Sequence, residues 1–227
     1  MDQLRADSVF SNVEFAENPE PRVPCVLLLD TSTSMHGPKL DELNKGLQIY
    51  RQALLTDPLA AKRVEVAVVT FGGRVQTVVD FVTAEAFDPP TLNAIGGTPL
   101  GEAVSIALDM IEQRKDAYRE NGVAYYRPWA FLITDGEPND HWKPVISRIE
   151  AGEKAKSFSF FCVGVEGANM EVLTELSVRK PLWLQGLKFA ELFTWLSNSQ
   201  QSVSRSSPGE DVPLEDPTSG PTGWAAV

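Results

Sequence analysis

Five oxygen-bearing side chains, drawn from three short stretches of a 227-residue chain, are suited to holding a hard cation. D-T-S-T-S supplies Asp30, Ser32 and Ser34; G-G-T-P-L-G supplies Thr98; I-T-D-G-E supplies Asp135. Alternate residues of a nearly extended turn point the same way, so Asp30, Ser32 and Ser34 share one side. The two glycines before Thr98 allow a close backbone approach. Two carboxylates and three hydroxyls, with no thiolate or imidazole required, form the ligand set of a small hard divalent cation. Mg2+ fits best, because it takes six oxygens and accepts water in place of some protein ligands; Mn2+ and Ca2+ are the alternatives. Taken singly, Asp30 and Asp135 would read as acids that cap a turn or a helix. The hydroxyls at matching positions turn the reading toward metal.

Three loops so far apart in sequence need a scaffold that brings them together. Val23–Asp30 is a continuous apolar run ending on an acid, which reads as a strand buried on both faces. Leu40, Leu43, Leu47, Tyr50 and Leu54 follow at helical spacing, with Pro38 near the start and Asp57-Pro58 after the end. Val64–Phe71 and the V-Q-T-V-V-D-F-V run are split by Gly72-Gly73-Arg74, the pattern of a hairpin. Leu100 to Ile111 reads as a second helix, Trp129–Thr134 as a strand ending at Asp135, and Trp142 to Ile149 as a third helix. A strand over Ser157–Val165, a short helix over Met170–Leu176, a short strand over Leu182–Leu184 and a helix from Phe189 complete the pattern. Strands alternating with helices predict a mainly parallel sheet covered on both faces. In such sheets sites form at the carboxyl ends of strands, where these loops lie.

Composition narrows the function. With 20 Lys+Arg against 31 Asp+Glu the net charge is −11, and the acid excess runs along the whole chain. The counterion release that drives nucleic-acid binding is missing, and anionic membranes are disfavoured for the same reason. Cys25 and Cys162 are too few for a disulfide scaffold and sit in apolar runs, as expected of buried thiols in a reducing compartment. The first ten residues lack the apolar core of a secretory signal, and no run approaches a membrane span, so a cytoplasmic location is expected. His36 and His141 each follow a loop of the candidate site and read as solvent-facing residues at helix starts rather than ligands. Residues 203–227, rich in Pro, Gly and Ser, read as a flexible acidic tail, although Trp224 near its end suggests docking on the domain or a partner.

The three motifs, in this order, resemble the von Willebrand factor A domain and its metal-ion-dependent adhesion site. The resemblance covers roughly residues 23–200 and implies a three-layer αβα fold. That fold has a six-stranded sheet in the order 3-2-1-4-5-6, mostly parallel with one antiparallel edge strand. It implies that Asp30, Ser32, Ser34, Thr98 and Asp135 hold the metal, some directly and some through water. It also puts Cys25 and Cys162 on strands 1 and 5, apart and unpaired. Thr33 stands where many bacterial relatives have Gly, which stiffens the loop. The F-A-E-N-P-E-P-R lead-in and the G-W-A-A-V ending look most like the bacterial TerY/YegL group. That group is associated with tellurite resistance and stress operons, beside a protein kinase and a phosphatase. The resemblance implies a non-enzymatic adaptor whose partner protein offers an acidic side chain to the metal. The domain is expected over 23–202, after an N-terminal extension of 1–22. A rival resemblance is to the haloacid-dehalogenase phosphatases, with Asp30 as nucleophile and Asp135 and Asp140 holding Mg2+. Against it, Ser32 replaces the second acid of that family's D-x-D, and no counterpart of its Lys is apparent.

Overall fold

The computed structural model describes residues 15–219 and 223–226. The first ten residues, on which the expectation about a secretory signal rests, lie outside them. The chain order is β1 (Val23–Asp30), a 3-10 turn (Thr33–Met35), α1 (Pro38–Leu55), α2 (Pro58–Arg63), β2 (Val64–Gly72), β3 (Arg74–Thr83) and α3 (Leu100–Glu120). Then follow β4 (Trp129–Thr134), α4 (Pro144–Lys154), β5 (Ser159–Gly164), α5 (Met170–Leu176), β6 (Leu182–Leu184), α6 (Phe189–Ser204) and β7 (Ala225–Ala226).

The strands form one sheet in the order β3-β2-β1-β4-β5-β6-β7. β2, β1, β4, β5 and β6 run parallel, and β3 closes one edge as the antiparallel arm of its hairpin. The three-layer α/β fold is therefore the expected one, with one addition. A seventh strand, where six were expected, pairs antiparallel with β6 at the far edge: Trp183 faces Ala226 and Leu184 faces Ala225. A two-residue strand has no alternation to read, and what seats it is the burial of Trp224 beside it.

β1 explains the sandwich. Cys25, Leu27 and Leu29 face one helical layer, made of α1 and α6, while Val26 and Leu28 face the other, made of α3, α4 and α5. A strand whose alternate residues enter two different cores must be apolar at nearly every position. Cys25 and Cys162 fall in opposite cores, on β1 and β5 with β4 between, and both are free and buried. Asp57-Pro58 does more than end α1. The Asp57 carboxylate accepts from the amides of Leu59 and Ala60 and Pro58 takes the first helical position, so the pair also starts α2.

Both chain ends described are fastened to this sandwich. Arg22, fully buried, pairs with the equally buried Glu65 of β2 at 2.8 Å, and Arg114 of α3 meets the same carboxylate at 2.8 Å. Beyond Ser204, where a flexible tail was expected, the described residues return to the domain: Trp195 Nε1 donates to the Glu215 carbonyl at 2.8 Å. Trp224, 1% exposed, packs edge-on against Trp195 with ring centres 5.6 Å apart. Among the described residues no helix is long and apolar enough to cross a membrane.

Candidate metal centre

β1 and β4 are neighbours in register, Leu29 opposite Ile133, so their carboxyl ends deliver Asp30 and Asp135 to the same end of the sheet. Asp30 is fully buried. Its Oδ1 accepts from the Ser32 amide at 2.8 Å, and its Oδ2 accepts from Thr134 Oγ1 at 2.5 Å. Burial pushes its carboxyl above the usual range; the Ser32 and Thr134 hydrogen bonds oppose this, and the nearby Asp135 charge adds a smaller upward push.

The D-T-S-T-S loop turns over the strand end as a 3-10 turn and sets the serines in line. Ser34 Oγ donates to Asp135 Oδ1 at 2.6 Å, and Ser32 Oγ and Ser34 Oγ share a bond of 2.9 Å. A hydroxyl has one proton, so with Ser34's proton on Asp135 it is Ser32 that donates to Ser34. Ser32 is buried whereas Ser34 is exposed, so the row of oxygens opens to solvent at Ser34.

Thr98 arrives from the loop before α3. That loop crosses the β2–β3 turn so closely that a Cβ on Gly96 would stand 2.4 Å from Gly73 Cα, and Gly96 itself has φ +68°. Thr33 ties the first and second of these loops together, its amide and hydroxyl both donating to the Gly96 carbonyl at 2.9 and 3.1 Å. Thr98 lies over Gly136, where a Cβ would stand 2.8 Å from Thr98 Oγ1 and 3.4 Å from Asp30 Oδ2. Glycine after Asp135 thus leaves a cradle between the third loop and the first.

All five sequence-predicted side chains therefore come to one place. Asp30, Ser32, Thr98 and Asp135 are buried. Three further residues belong to the site and were not foreseen: Thr134, which holds Asp30; Gly136, which makes room; and Lys39 on α1, whose Nζ donates to Asp135 Oδ2 and, at 2.9 Å, to the Glu166 carbonyl. The Thr-Asp-Gly run pointed to the first two. Lys39 had no sequence signal beyond its place in a helix's first turn. His36 and His141 are exposed. Asp140 serves elsewhere: its two oxygens accept from the amides of Gly101 and Glu102, at 3.1 and 2.9 Å, and cap α3.

The donor set fits a hard dication. It holds two carboxylates, three hydroxyls, a cradle without side chain at Gly136 and one face open to water. Among the described residues no group of three or more His, Cys, Asp or Glu forms a candidate metal site, so a cation held here would depend on the hydroxyls.

No curated protein matches the sequence. Solved structures do match in fold. Proximal thread matrix protein 1 from the mussel byssus aligns with a TM-score of 0.56 at 16% identity, over 80% of this chain and 48% of that one. A structure of that protein with a zinc-occupied MIDAS motif aligns at 0.54 with 15% identity, over 80% and 48%. The pilus adhesin SpaC from Lactobacillus rhamnosus GG, in its open conformation, aligns at 0.61 with 13% identity, over 81% of this chain and 30% of that one. This chain spans less than half the length of each of them, and at such identities the likeness is one of fold. The profile of the von Willebrand factor type A domain, a protein-interaction and adhesion module, matches residues 25–185, from β1 past β6 with the whole cluster inside. The chain belongs to the von Willebrand factor type A domain family.

Proposed function

We propose that the chain is a metal-dependent protein-binding module, with Asp30, Ser32, Ser34, Thr98 and Asp135 holding Mg2+ and a Glu or Asp of a partner protein completing the coordination. The observation that carries this reading is the row Ser32–Ser34–Asp135, joined at 2.9 and 2.6 Å and open to solvent at Ser34. A dication bound there supplies an electron-poor position for one more anionic oxygen. The protein's own residues do the rest. Thr134 and the Ser32 amide fix both oxygens of Asp30, the Thr33–Gly96 bonds keep two loops in register, and burial keeps water from all but one side. Net charge −11 repels acidic partners at long range, so attraction is confined to the point of contact.

The lead-in F-A-E-N-P-E-P-R and the ending G-W-A-A-V support a place in the TerY/YegL group. With it comes the role of a cytoplasmic adaptor for a stress-operon kinase or phosphatase in tellurite resistance. We read the site as binding rather than catalytic. The phosphatase alternative needs Asp140 at the metal, and both of its oxygens are engaged by the amides of α3.

Affinity capture with wild type and Asp30→Ala, each with and without EDTA, tests the proposal. A partner recovered by the wild type in Mg2+ alone supports it, and equal recovery in all four lanes overturns it. A phosphatase assay on the same samples should show no Mg2+-dependent turnover; activity abolished by Asp30→Asn would favour the enzyme.

A further inference from the structure

We infer that Lys39 sets the charge of the metal centre and thereby its demand for an acidic ligand; this deepens the metal reading above and rests on it. α1 begins at Pro38, so Lys39 lies in its first turn. A cation there opposes the helix dipole, which favours acids at that end, as Asp41 in the same turn illustrates. Helix formation therefore gives no reason for lysine at this position. What the ammonium meets is Asp135. The Lys39 side chain is 22% exposed and that of Asp135 is fully buried. The two oxygens of Asp135 are divided between neighbours: Oδ1 takes the proton of Ser34, and Oδ2 takes Lys39. The ammonium is also held by the Glu166 carbonyl at 2.9 Å, so it is bound from two sides to the edge of the cluster.

The count of formal charges follows. Asp30 and Asp135, both ionised when they face a cation, bring −2, and Lys39 returns +1, so the contact group sums to −1. With a dication in place the sum is +1, where two carboxylates without the lysine would give zero. One positive charge at short range then acts on two equilibria with opposite signs. It weakens the hold on the dication by repulsion, and it strengthens the attraction for a carboxylate arriving from outside. A lysine that merely kept Asp135 in position would move both equilibria the same way.

The test uses Mn2+ as the metal and acetate as the acid, on the full chain. Free Mn2+ is measured by electron paramagnetic resonance for wild type, K39M, K39Q and K39R. Acetate is then titrated into each Mn2+-saturated protein, and its displacement of bound water is read from water-proton relaxation. K39M and K39Q should bind Mn2+ roughly tenfold more tightly, yet need several-fold more acetate, while K39R follows wild type. Lys39 is partly exposed, so both neutral variants should fold; circular dichroism checks this, and K39Q carries the test should K39M fail. Equal or weaker Mn2+ binding by a folded neutral variant, or an unchanged acetate response, overturns the role of Lys39 and leaves the metal reading standing. Failure of the wild type and every variant to bind Mn2+ overturns both.

Discussion

Ser34 and Asp135 are separated by 101 positions in sequence, yet their side chains meet at 2.6 Å. The bond joins the loop after β1 to the end of β4 and carries the row of hydroxyls to the surface. Ser34→Ala should lower Mn2+ affinity about tenfold or more, the size expected when a polar member of a metal site is removed. The cost to folding should be about 1–3 kcal/mol, because the lost hydroxyl donates to a carboxylate that is itself fully buried. Titration calorimetry beside urea unfolding checks both numbers. Unchanged affinity would remove Ser34 from the site.

Gly136 offers a sharper probe, since it has no side chain to lose. Its backbone lies outside the left-handed region, so alanine is conformationally allowed there. The added methyl would stand 2.8 Å from Thr98 Oγ1, inside normal contact, and Thr98 must shift. Gly136→Ala should therefore weaken Mn2+ binding roughly tenfold while costing ~1–2 kcal/mol in stability. Retained affinity with retained stability would mean that Thr98 is not a ligand.

How far the sequence exposes this architecture depends on which force is at work. β1 was legible because two cores demand apolar residues on both of its faces, and α1 because one core demands them every three or four positions. Four of the candidate ligands were legible because they lie at or just after the ends of β1 and β4, and Thr98 because it stands in a Gly-Gly-Thr-Pro run just before a helix. Lys39 was not, since a lysine in a helix's first turn becomes informative only once Asp135 is seen beside it. α2 was hidden because Asp57-Pro58 fits the end of one helix as well as the start of the next. β7 was hidden because its two alanines carry no pattern, and its docking depends on a neighbour, Trp224.

That dependence can be measured. Trp224 is 1% exposed, and the chain around it is pinned by Gln185, whose amide donates to the Trp224 carbonyl at 2.9 Å, and by Lys188, which donates to the Gly223 carbonyl at 2.8 Å. Trp224→Ala should cost ~3–5 kcal/mol, as for other buried aromatics. Its indole N–H makes no hydrogen bond to the described residues, so Trp224→Phe should cost clearly less. Urea unfolding of the two variants decides. Equal, small losses would show that the tail contributes little to the fold.

The two thiols give the protein an alkaline limit whose sign can be worked out. Burial pushes both Cys25 and Cys162 from an ordinary value of 9.0 up to about 12. Above pH 9 the unfolded chain releases these protons while the folded chain keeps them, so the unfolded state binds fewer protons and stability falls as pH rises. Below pH 9 both states are protonated and the effect vanishes. By pH 10 each thiol should have removed roughly 1 kcal/mol. Tyr50 and Tyr118, also raised by burial, add the same sign as pH approaches their ordinary value of 10.0, so between pH 8 and 10 the thiols dominate and the tyrosines add a smaller part near the upper end. Urea unfolding across that window should show a slope that flattens in the Cys25→Ala/Cys162→Ala double variant. The native protein at pH 8 should also resist thiol reagents until it is unfolded. An unchanged slope, or rapid labelling of the folded chain, would mean that these sulfurs meet water after all.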